Sequence, residues 1–111
     1  WLQDQLATPT TYTIVSRHEP SSATTAPCVA DMDAVLQSAS PPIDLLLVGH
    51  THTFEKVGHE IVVGNGGAPL TGSAPFGFAT VEMIPGTGFR VSEIDASSKA
   101  VLRSFVIAHA P

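Results

Sequence analysis

A single cysteine, Cys28, excludes an internal disulfide and any cluster of thiolate ligands. Nothing beside it activates a thiol, so it reads as a small packing or loop residue. Basic residues are scarce, five Lys plus Arg against ten Asp plus Glu, for a formal net charge of -5. A nucleic-acid surface needs clustered cations to neutralise phosphates, so no nucleic acid is expected as a structural partner. A small phosphate ester stays compatible with that charge, because a bound metal ion reverses the local field. No apolar run approaches the ~20 residues of a membrane span, and no signal peptide is visible. Charged residues are only 14% of the chain and hydrophobic ones 43%, a balance that builds a core instead of a disordered segment. The Ser/Thr/Ala-rich, Lys-poor composition suits a secreted or periplasmic setting.

What is present falls into a clear order. Trp1, Leu2 and Leu6 share one stripe of a short helical end that Pro9 stops. An opening of Trp-Leu-Gln-Asp-Gln-Leu reads as the inside of a helix, so the 111 residues are expected to be one single-domain fragment of a larger protein. Tyr12 to Ser16 is rich in β-branched residues and predicts a strand, ended by Arg17-His18-Glu19-Pro20. After a Ser/Thr/Ala-rich loop, Val29, Met32, Val35 and Leu36 recur at helical spacing. This predicts a helix over 31–39 with Asp31 as N-cap. Ile43 to Val48 is an apolar run of strand length, suited to a strand covered on both faces.

Strand, helix, strand implies a βαβ unit with parallel strands and a right-handed crossover. The carboxyl ends of both strands then share one sheet edge, where open α/β sheets bind ligands. His18 follows the first strand, and His50 and His52 follow the second. In extended chain His50 and His52 would point to one side, and Gly49 would ease the exit from the strand. These three imidazoles are therefore the candidate metal ligands. Glu19 and Thr51 are candidates to orient them from behind. His59, at a strand start, and His109, near the terminus, read as structural.

Beyond the pair, 59–63 predicts a short strand and Gly64-Asn65-Gly66-Gly67 a flexible turn. Strands follow at 76–84, 89–94 and 100–108, with hairpin turns at Pro85-Gly86-Thr87-Gly88 and 95–99. The fold class is thus α/β, a βαβ unit followed by antiparallel strands.

The block from Ile43 to Glu55, a hydrophobic strand running into Gly-His-Thr-His, resembles the last signature block of the calcineurin-like metallophosphoesterases. Val15-Ser16-Arg17-His18-Glu19-Pro20 resembles the block before it, and Gly64-Asn65-Gly66-Gly67 the glycine-rich turn downstream. The resemblance implies the carboxy-terminal half of a β-sandwich flanked by helices. It further implies that His18 and His50 hold one metal ion and His52 a second, two divalent or trivalent ions of iron, zinc or manganese. Such a pair activates water and neutralises the phosphoryl group of a phosphate-ester substrate. The family's Asp-x-His, Gly-Asp-x-x-Asp and Gly-Asn-His blocks do not occur here. A missing amino-terminal half would supply them, and this chain alone is expected to be inactive. No residue is assigned to catalysis or to substrate binding. The alternative is a non-catalytic metal-binding or structural module that completes a site on another chain. A metallo-β-lactamase pattern fails because Thr53-Phe54-Glu55 follows His52, and a cupin barrel does not accommodate the predicted helix.

Overall fold

The computed structural model describes residues 1–109 as two helices and seven strands in two sheets. The first sheet holds β1 (Ile14–Ser16), β2 (Leu45–Val48), β3 (Phe54–Val57) and β4 (Glu60–Val63), in the order β1-β2-β4-β3. β1 and β2 are parallel, joined by helix α2 (Val29–Gln37), as the βαβ reading requires. β4 is parallel to β2, and β3 turns back against β4 as the outer edge. The second sheet is an antiparallel meander of β5 (Gly77–Ile84), β6 (Gly88–Asp95) and β7 (Val101–Ala108). Helix α1 (Leu2–Leu6) packs beside α2.

Alternation along β2 sorts the core into two layers. Leu45 and Leu47 face the second sheet, where they meet Phe54, Ile61, Phe89, Val91 and Ile107. Leu46 and Val48 face the helices and pack with Leu36, Val62, Leu2 and Leu6. Burying each of these large side chains contributes about 1.5–3 kcal/mol. The uninterrupted apolar run of β2 therefore reflects cover on both faces. Among the described residues, no helix is long and apolar enough to cross a membrane.

Two expectations are corrected. Helix α2 begins at Val29 with Cys28 as its N-cap, at φ 67°, and Asp31 sits in the first turn. There its carboxylate faces the helix dipole without capping a backbone N–H. Between Gly49 and Glu60 the chain also forms a strand the sequence reading did not anticipate, β3. A two-residue loop, Gly58-His59, closes the β3–β4 hairpin, with Gly58 at φ 60°. Positive φ at the first loop position is the II′ geometry that glycine supplies without a Cβ clash.

The sheets are clasped at one end. Buried Asp44 accepts from the backbone N–H of Thr13 at 2.7 Å and pairs with His109 Nδ1 at 2.6 Å. The Gly86 N–H donates to the Tyr12 hydroxyl at 2.8 Å. His59 Nδ1 donates to the Asp44 carbonyl at 2.9 Å. His59 and His109 are thus engaged structurally, at the end of β2 opposite His50.

Candidate metal centre

The parallel ladder of β1 and β2 runs past the strand ends. The Arg17 N–H donates to Leu47 O at 3.0 Å, and the Gly49 N–H to His18 O at 2.9 Å. His18 and Gly49 are thereby locked side by side, and His50 follows within one residue. The ring nitrogens His50 Nδ1 and His18 Nε2 lie 3.3 Å apart, with the rings edge to face at 85°. Two nitrogens bound to one tetrahedral ion at ~2.0–2.1 Å stand roughly 3.4 Å apart. The spacing therefore fits a shared ion.

The bend falls at His50, not Gly49. His50 has φ 61°, and the Thr51 N–H donates to the Gly49 carbonyl at 2.7 Å. That is a γ-turn of the rare positive-φ kind, centred on a residue with a Cβ. Such backbone strain costs on the order of 1–3 kcal/mol and persists where the surroundings impose it. A second i to i+2 bond, Thr53 N–H to Thr51 O at 2.7 Å, turns the chain again around His52. Gly49 to Thr53 is therefore not extended, and the two-residue period does not set the directions of His50 and His52.

His52 is separately held. Its Nδ1 donates to the Pro69 carbonyl at 2.8 Å, and its own carbonyl accepts from the Thr71 N–H at 2.8 Å. A carbonyl only accepts, so Nδ1 carries the proton and a neutral ring keeps its lone pair on Nε2. Gly64 makes this arrangement possible. A Cβ built there would lie 1.8 Å from the Thr51 carbonyl oxygen, so only glycine lets the two backbones approach.

Among the described residues, one group of three donors could hold an ion: His18, Glu19 and His50, with ligand atoms all within 4.8 Å of one another. The structure thus brings together two of the three predicted histidines and adds Glu19, with His52 outside the group. The sequence offers Glu19 only as a candidate to orient the imidazoles. Its place among the donors depends on the turn that Arg17 imposes. Arg17 Nε donates to the Glu19 carbonyl at 2.8 Å, while Nη2 bridges Ser21 Oγ at 2.8 Å and Asp33 at 2.7 Å. Pro20 is fully buried, and the Ser21 N–H donates to Glu60 at 3.0 Å. Both flanks of Glu19 are fixed.

A cleft of about 460 Å³ opens beside His18, walled by Ser16, Leu47, Val63, Ala79 and Val81. Asn65, in the glycine-rich turn, is no flexible link. It is fully buried, with Nδ2 donating to the Pro75 carbonyl at 2.8 Å and its own carbonyl accepting from Gly77. Compared with models of protein families, with characterised proteins and with solved structures, the chain matches none.

Proposed function

We propose that this chain supplies ligands to a dinuclear metal centre that hydrolyses phosphate esters. His18 and His50 bind one ion and His52 the other, as the Gly-His-Thr-His resemblance implies. The remaining ligands come from polypeptide outside these 111 residues. The observation that carries the reading is the His18–His50 nitrogen spacing of 3.3 Å at the carboxyl edge of two parallel strands. The Pro69 bond to His52 adds support, since it presents Nε2 as the donor nitrogen. Iron, zinc or manganese in such a donor set would activate water and offset charge on a phosphoryl group. The chain's own part is to orient imidazoles at fixed positions.

One observation favours the non-catalytic alternative, a metal-binding or structural module that completes a site elsewhere. Among the described residues the donor group contains a single carboxylate, Glu19, where a dinuclear site needs one that bridges. Hydrolysis of p-nitrophenyl phosphate with added manganese separates the readings. The 111 residues alone should show no turnover. A longer parent polypeptide should turn over, and His50→Ala should abolish it. Robust turnover by this chain alone would overturn the division of ligands. An inert, metal-loaded parent would overturn the phosphoesterase.

A further inference from the structure

We infer that Glu19 is a third metal ligand, so that His18, Glu19 and His50 hold one divalent ion within this chain. The inference rests on the reading that puts His18 and His50 on one ion, but not on phosphoester chemistry. Three observations carry it. A Glu19 carboxylate oxygen lies with the two ring nitrogens inside a 4.8 Å envelope. Ligand atoms around one ion at ~2.1 Å span roughly 3.0–4.2 Å, so a small side-chain rotation closes the set. The Glu19 backbone is clamped by Arg17 on one side and by buried Pro20 on the other. Finally, among the described residues no hydrogen bond or ion pair engages the Glu19 carboxylate, although Arg17 is two positions away. Its Nε is committed to the Glu19 carbonyl and its Nη2 to Ser21 and Asp33, while Nη1 is buried without a partner.

Two imidazoles and one carboxylate make a donor set of borderline softness. It suits zinc, cobalt, manganese or ferrous iron, and is too nitrogen-rich for calcium or magnesium. Three protein ligands leave positions open, the pattern of a reactive site and not a closed structural one. The carboxylate also cancels one unit of the ion's charge, which an all-histidine pair would not.

Titrating the 111-residue chain with zinc alone tests this by calorimetry, with cobalt absorption in the visible range as a second readout. One ion should bind per chain. Glu19→Gln should weaken binding about 10–100-fold, the least expected for a lost ligand when even supporting groups cost that much. Glu19→Asp should recover part of the loss and shift the cobalt spectrum. Glu55→Gln should bind as the unsubstituted chain does. Circular dichroism of each variant checks that it is folded. Unchanged affinity in Glu19→Gln, or a loss in Glu55→Gln as large as in His18→Ala, would overturn the assignment. So would a folded chain that binds no zinc at millimolar concentration. None of these outcomes reads turnover, so each is separable from failure of the phosphoesterase reading.

Discussion

Single residues decide the candidate site, and they were unevenly legible. That His18 and His50 would meet follows from strand order, because a parallel crossover forces their edges together. That His50 and His52 would share a direction does not follow, because two γ-turns replace the extended chain on which the period of two depends. Nothing in Gly-His-Thr-His announces those turns. Their cause lies further along the chain, at Gly64, whose backbone lies against Thr51. A Cβ there would meet the Thr51 oxygen at 1.8 Å and its carbonyl carbon at 2.7 Å, both backbone atoms that cannot rotate aside. Gly64→Ala should therefore lower stability by about 1–3 kcal/mol, the usual cost of overpacking. Gly67→Ala, with nothing within 4 Å of the new methyl, should change it by less than about 0.5 kcal/mol. Urea denaturation compares the two, and equal midpoints would mean that the contact at Gly64 is not what holds the histidine turn.

Elements were read more securely when their signal was long. β2 declares itself by an unbroken apolar run, and the β5–β6 hairpin by Pro85-Gly86-Thr87-Gly88. β3 was missed because Phe54-Glu55-Lys56-Val57 has one buried residue and stands at an edge, so its alternation is barely expressed. The available cue was Gly58, a glycine opening a two-residue loop. The β6–β7 turn is fixed by Asp95, whose Oδ1 accepts from the hydroxyls and N–H groups of Ser97 and Ser98. These bonds, the Ser97 hydroxyl foremost and then the Ser98 N–H, lower its pKa from 3.8 to about 2. A depressed folded pKa means that the charged form is the stabilising one. Its contribution is complete above the ordinary value of 3.8 and drains away as pH falls toward about 2. The stability difference between the wild-type chain and Asp95→Asn, from urea melts at several pH values, should be constant at neutral pH and shrink through that window. A difference that stays level down to pH 2 would mean the serine bonds do not prefer the carboxylate.

At the scale of the molecule the two sheets do not cover each other evenly. Registered neighbours share a face, so Val81 and Met83 of β5 point the same way as Val91 and Phe89 of β6. Yet Val81 and Met83 are 38% and 53% exposed, while Val91 and Phe89 are 0% and 4% exposed. Ile14 on β1 repeats the pattern, 43% exposed although it is registered with fully buried Leu45. The sandwich is thus closed over β6 and open at β5 and at β1, where the first sheet ends. Among the described residues β1 also presents an unpaired strand edge, which templates pairing with other chains. The location of these exposed apolar positions follows only from how the two sheets stack, a long-range outcome of which strand finishes at the rim. The expected consequence is that the isolated chain self-associates through this opening. Sedimentation velocity over a concentration series should show species heavier than the 11.6 kDa monomer. The double variant Val81→Lys/Met83→Lys should return the chain toward the monomer with modest loss of stability, because Met83 is about half in water and Val81 more than a third. Replacing Val57, equally exposed at 56% but on the far edge strand β3, should leave association unchanged. An unsubstituted chain that is monodisperse and monomeric at high concentration would show that the opening needs no cover.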